Sequence, residues 1–201
     1  MARSIRACRW AASPDTDVSA FTHARATEAD LPALRALMTR AIEELQHGFL
    51  SREQVAASHQ IMGLDTQLVK DRTYFMILNE GAPVGCGGWS FRATLFGGDD
   101  SIVAREPLPL DPAKDAAKIR AMYVDPAHAR RGIGKAIMAL CEDAARAAGF
   151  ARVELMATLA GLPLYKACGY RAIEAVEATS REGVRVPIVR MGKVLDSTRP
   201  H

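Results

Sequence analysis

The chain has 201 residues, 49% of them hydrophobic and 24% charged, a balance that suits one globular domain with a core of its own. Its net charge of +3 is too small to argue by itself for a nucleic-acid partner, and no apolar run approaches the roughly 20 residues of a membrane span. Four scattered cysteines without a C-x-x-C pair and five dispersed histidines without H-E-x-x-H support neither a disulfide framework nor a metal site, so a reducing, cytoplasmic setting is expected.

Residues 1–20 carry Arg3, Arg6 and Arg9 but no apolar stretch, so a secretory leader is not expected. They read as a disordered extension, residues 196–201 as a short tail, and residues 21–195 as a single domain. Residues 21–26 suit a first strand. A helix follows from about Asp30, capped by Thr27 or Asp30 with Pro32 in its first turn, and its stripe is Leu31, Leu34, Met38, Ala41, Ile42 and Leu45. Ser51-Arg52-Glu53-Gln54 fits a capping box that opens a second helix. Residues 73–78 are rich in strand formers, Asn79-Glu80-Gly81 signals a hairpin, and the return strand at 83–91 is interrupted by Gly85, Gly87 and Gly88, a sign of bulging or close packing. Residues 92–117 form a long polar connection, broken by Gly97, Gly98 and three prolines, whose position suits a lid.

Residues 118–149 organise the rest. Ile119, Ala121 and Tyr123 alternate with Arg120, Met122 and Val124, the two-residue period of a strand. After a basic loop the period becomes helical, with Ile133, Ala136, Ile137, Leu140, Cys141, Ala144 and Ala148 on one face and Lys135, Glu142, Asp143 and Arg146 between them. Gly149 stands where a helix favours a left-handed last residue. At the junction, unpaired N-terminal amides, the helix dipole, two residues without Cβ (Gly132 and Gly134) and the cations Arg130, Arg131 and Lys135 converge. Such a junction serves either as a diphosphate cradle or as a strand-to-helix turn whose glycines permit close packing. A Walker loop is excluded, because Ile-Gly-Lys-Ala follows Gly132, and a dinucleotide fingerprint is excluded by Ile137. Beyond Gly149 come a strand at 152–156, a short helix at 162–168, a strand at 170–176, and a last strand at 185–193 that Pro187 directs to a sheet edge. The order of elements is mixed α/β.

Val124-Asp125-Pro126 and Gly132-Ile133-Gly134 match, in type and spacing, V-x-P-x-x-(Q/R)-x-x-G-x-(G/A), and the stretch resembles the acetyl-CoA-binding motif of the GNAT (GCN5-related N-acetyltransferase) superfamily. The motif's Gln/Arg position holds Ala129. Leu164-Tyr165-Lys166-Ala167-Cys168-Gly169-Tyr170 resembles the second motif of that family, L-Y-x-x-x-G-(F/Y), and the resemblance covers residues 22–193. Where family members carry Asn and Ala before this tyrosine, the chain has Thr158 and Gly161.

The resemblance implies a GNAT-like fold with a central, mostly antiparallel twisted sheet flanked by helices. It implies direct transfer of acetyl from acetyl-CoA to a primary amine of a small molecule or peptide in a ternary complex. Tyr165 would be the catalytic proton donor to the leaving sulfur, and Met122, Tyr123 and Val124 would meet the acyl group and pantetheine arm where two strands part. Arg130, Arg131, Gly132, Ile133, Gly134 and Lys135 would hold the diphosphate, and Thr158 a further cofactor contact. A homodimer is the family's leaning; no metal, nucleic acid or membrane is called for. Glu43, Glu44, His47 and Asp115 are the open candidates for the base, a covalent route would use Cys86 or Cys168, and Trp89, Phe91 and Phe96 serve either the core or an acceptor pocket. The competing reading is an inactive CoA-binding sensor or interaction module.

Overall fold

The computed structural model describes residues 21–195; the expected extension at 1–20 and the tail at 196–201 lie outside the described residues. Strand β1 (Phe21–Arg25) leads into helices α1 (Leu31–Leu45), α2 (Arg52–Ile61) and α3 (Thr66–Lys70). The hairpin β2 (Tyr74–Asn79) and β3 (Ala82–Ser90) follows, then β4 (Ala117–Val124), α4 (Ile133–Ala147) and β5 (Arg152–Thr158). Helix α5 (Leu162–Ala167) and the strands β6 (Arg171–Thr179) and β7 (Arg185–Val194) complete the fold. The strands form one sheet in the order β1-β2-β3-β4-β5-β7-β6, antiparallel except at β4-β5.

Local signals explain most of the boundaries. The Ser51–Gln54 capping box forms at α2, and a second one joins Thr27 to Asp30 in a 3-10 turn ahead of α1. At the far end of α4, Gly149 turns left-handed and the Phe150 N–H reaches back to the Ala145 carbonyl. Two of the three hydrophobic clusters among the described residues flank the sheet at its centre. Ile133, Ile137, Met138 and Cys141 of α4 pack with Ile119, Val153, Leu155 and Trp89 on one face. Leu34, Leu37, Met38 and Ile42 of α1 pack with Leu68, Tyr74 and Met76 on the other. The β3 glycines serve close packing: a Cβ at Gly87 would collide with Met122 and Ile137.

Three expectations give way. Strand β7 is interior, between β5 and β6. Its Pro187 is tolerated because β5 ends at Thr158 opposite Ile188, so at Pro187 only β6 is a neighbour. Glu142 is buried on α4 because the Lys193 ammonium of β7 donates to it at 2.7 Å. The long connection is a wall rather than a free lid. Arg92 grips Asp71 through two hydrogen bonds of 2.7 and 2.9 Å, Arg120 donates to the Gly97 carbonyl at 2.6 Å, and the Asp99 N–H donates to the Leu64 carbonyl. Where Gly98 crosses Gly63, the two backbones are too close for a Cβ on Gly98.

At the centre of the sheet, Glu154 of β5 accepts from Lys118 of β4 at 3.0 Å and from Arg190 of β7 at 2.8 Å, joining three strands. Burial alone would raise this carboxyl; the two cations outweigh it and hold the pKa below the ordinary value of 4.5. A depressed carboxylate stabilises the fold above its unfolded pKa, and that contribution is lost as pH falls through the folded value. Glu154→Gln is therefore expected to lower the urea midpoint at pH 7, with the gap to the native chain closing as pH falls below 4.5. A gap that stays constant down to pH 3 would show that the clamp is not an ionic one.

Candidate active site

The site begins where β4 and β5 part. They pair in parallel at Ala117–Val153, Lys118–Glu154 and Ile119–Leu155 and no further, although β4 runs on to Val124 and β5 to Thr158. Beyond Ile119, one edge of β4 has no neighbouring strand.

A bulge sets the direction of that edge. Cys86 pairs with Tyr123 and Gly88 with Arg120, so Ala121 and Met122 together stand opposite Gly87. Ala121 takes up the extra residue with φ +52°, a left-handed conformation that costs a residue with a Cβ about 1–2 kcal/mol. The fully buried Tyr74 holds it there, its hydroxyl donating to the Ala121 carbonyl at 2.8 Å. The bulge also overturns the simple alternation expected for β4. Ile119 shares a core with Met122 and Val124, while Ala121 and Tyr123 face the other one. Main-chain direction alternates along a strand. The Asp125 N–H donates to Val84 of β3 at 2.9 Å, so the Val124 N–H lies on the open edge, while the Tyr123 N–H faces Cys86 of β3.

After β4 the chain makes a 3-10 turn, Pro126–His128, with the Asp125 side chain accepting from the Ala127 N–H. Burial alone would raise the Asp125 carboxyl, but Arg40 of α1, at 2.6 Å, holds it below the usual range and ties the turn to α1. Ala129 then remains extended, Arg130 goes left-handed at φ +65° and Gly132 at φ +81°, directly ahead of Ile133 at the start of α4. Such a turn gathers main-chain N–H groups into a concave, anion-accepting surface. A Cβ at Gly132 would meet nothing within 4 Å, so glycine is required there by backbone conformation. Gly134 serves differently: a Cβ there would lie 2.7 Å from the Leu164 side chain, so this glycine lets α5 close on α4. Arg131 stacks its guanidinium 4.9 Å from the Phe21 ring centre.

On the β5 side, the Thr158 side chain accepts from the Gly161 N–H at 3.2 Å and starts the turn into α5. Gly161 makes room for the ring of Tyr165, which a Cβ would meet at 2.7 Å. Burial, then the nearby Cys168 and Cys141 thiols, pushes the Tyr165 phenol upward, so it keeps its proton across the neutral range. No partner for its hydroxyl is found among the described residues.

All the residues picked out from the sequence meet on one cleft of about 860 Å³: Met122, Tyr123, Val124, Arg130, Arg131, Gly132, Ile133, Gly134, Lys135, Thr158 and Tyr165. The base candidates do not. Glu43, Glu44 and His47 are exposed on the outer side of α1 and its exit, and Asp115 accepts from the Asp111 N–H, outside the cleft. Cys86 and Cys168 are off the lining, and burial raises both thiols, Cys86 to about 12. Of the aromatic trio only Phe96 lines the cleft; Trp89 is core, edge-on to Phe91 and Phe150. Sequence reasoning missed Gln46 and Arg120, whose polar character reads as solvent-facing although both are buried and line the cleft.

The acetyltransferase (GNAT) family model matches residues 36–170. No curated protein matches the chain. Among solved structures, a GCN5-related N-acetyltransferase from Rhodopseudomonas palustris superposes with a TM-score of 0.64 at 17% identity, over 86% of this chain and 94% of that one. The ribosomal-protein-S18-alanine N-acetyltransferase of Escherichia coli gives 0.54 at 18% identity, over 89% and 96%. The putative acetyltransferase yncA of Salmonella typhimurium, solved with its cofactor acetyl-CoA, gives 0.57 at 16% identity, over 90% and 97%. At these identities the likeness is one of fold.

Removing the Tyr74 hydroxyl leaves the Ala121 carbonyl without its donor. Tyr74→Phe is expected to cost about 1–3 kcal/mol of unfolding free energy, read from urea titration. An unchanged midpoint would mean that the ladder to β3 holds the bulge unaided.

Proposed function

The chain belongs to the acetyltransferase (GNAT) family, and on that premise we propose that it transfers acetyl from acetyl-CoA directly to a primary amine while both are bound. One observation carries the reading: the open edge of β4 and, one 3-10 turn later, the left-handed turn at Arg130 and Gly132 that starts α4 line the same cleft. A strand edge able to pair with amides and an anion cradle, joined on one wall, suit a long ligand that is amide-bearing at one end and phosphorylated at the other.

Acetyl-CoA, when bound, supplies an acyl group already activated as a thioester. The α4 N-terminal amides, with Arg130 and Lys135, hold the diphosphate. The edge of β4 pairs with the pantetheine amides as an added strand would. The Val124 N–H donates to the acyl oxygen, where negative charge develops during attack. In the balance of the reaction a nitrogen–carbon bond forms, the carbon–sulfur bond breaks, and one proton from the amine ends on sulfur. Tyr165 relays that proton, giving its own to sulfur and recovering one from the nitrogen side. The departure at Ala129 removes a side-chain contact to the diphosphate but leaves the main-chain donors untouched.

Tyr165→Phe is expected to lower kcat roughly 100-fold or more while the dissociation constant for CoA, read by calorimetry, stays within about twofold. Undiminished turnover would remove Tyr165 from the chemistry. Gly132→Val places a branched residue at φ +81° and is expected to weaken CoA binding; unchanged affinity would argue against the cradle. CoA binding without acetyl transfer to any amine would favour the sensor reading instead.

A further inference from the structure

The cleft extends past the coenzyme-facing wall to an end formed by the last turn of α1, the exit of α2, the loop at 95–97 and the tips of β5 and β7. Its surface there is apolar: Leu45, Phe49, Met62, Phe96, Met156 and Ile188 line it. Among the described residues that line the cleft there is no aspartate, glutamate or histidine; its ionisable groups are the cations Arg120, Arg130, Arg131 and Lys135 and the phenols Tyr123 and Tyr165. Arg120 is held from behind by Asp65, itself fully buried and bonded to the Gln67 N–H and Arg105, so no anion is left facing the cleft.

Resting on the acetyl-transfer reading, we infer that this end receives an aromatic monoamine, a weakly basic nitrogen on an apolar and uncharged body. Charge is the first reason. A polyamine or a lysine-rich peptide would leave water for a cavity whose charged lining side chains, among the described residues, are all cations, and no anion among them offsets its desolvation. The proton is the second. Only a neutral amine attacks, and no carboxylate or imidazole in the lining takes a proton from an ammonium ion. With a pKa near 10.4, an alkylammonium is neutral at pH 7.4 in roughly one molecule per thousand. An aromatic amine, its lone pair delocalised into the ring, arrives neutral.

The test is thiol release by the full-length chain with acetyl-CoA and four acceptors: 4-methylaniline, phenethylamine, spermidine and a lysine-rich peptide. At pH 7.4, kcat/KM is expected to be at least about tenfold higher for 4-methylaniline than for phenethylamine and at least about 100-fold higher than for spermidine. Raising the pH should increase the phenethylamine value about tenfold per unit, because only its neutral fraction reacts, and leave the aromatic amine flat. Preference for spermidine, the peptide or phenethylamine over 4-methylaniline at pH 7.4, or a flat phenethylamine profile, would overturn the inference while leaving acetyl transfer standing. CoA binding with no release from any of the four would overturn the transfer reading, and the acceptor assignment with it.

Discussion

The site depends on the parting of β4 from β5 after three paired rungs. Two neighbouring strands of a sheet normally stay together, because each separated residue leaves main-chain groups without partners. Here the separation is enforced from both sides. The Lys118–Glu154–Arg190 clamp holds the strands at the last rungs that pair, and the Ala121 bulge turns β4 just beyond them. Tyr74, reaching from β2 beneath β3, fixes the turned carbonyl. The exposed edge that results is a defect in the sheet, and the proposed pairing with the coenzyme arm rests on it.

The wall opposite shows how a long irregular segment becomes part of a rigid site. Residues 92–117 have little regular structure of their own, yet their main chain is tied at Leu64, Gln60 and Phe91, and the Arg92 side chain holds Asp71. Arg120 is central to this. It lies on β4 immediately before the bulge and joins Asp65, behind the wall, to the Gly97 carbonyl within it. A buried ion pair contributes little net stability once desolvation is counted, but losing one partner strands the other. Its value here is positional: it sets the distance between the strand edge and the loop that closes the cleft.

Much of this was legible in the sequence where the determinants are local. The change of period between Val124 and Ile133, the Ser51 capping box and the left-handed Gly149 each depend on residues a few positions apart. What stayed hidden is non-local. The bulge hides within a perfect alternation of residues 119–124, because only the register against Gly87 reveals the extra residue. Glu142 reads as a surface residue until Lys193 arrives from another strand. Pro187 misleads because the rule against proline in a sheet interior concerns donors, and β5 ends before a donor is needed. Gln46 at the end of a helix looks solvated, and only the folded arrangement of α1 against Met62 buries it.

The two glycines of the motif, alike in sequence, divide the work between ligand and scaffold. Gly132 is open on all sides and shapes the anion cradle through its φ angle; Gly134 is filled against by Leu164. Leu164 immediately precedes Tyr165 in α5, so the contact at Gly134 sets how closely the tyrosine stands to the start of α4. Gly161 adds a second limit from beneath the ring. Cradle and phenol are thus spaced by side-chain packing between two helices rather than by a hydrogen bond, and packed interiors yield little to strain. In the proposed complex, the separation between the diphosphate cradle and the Tyr165 phenol is therefore a property of this packing.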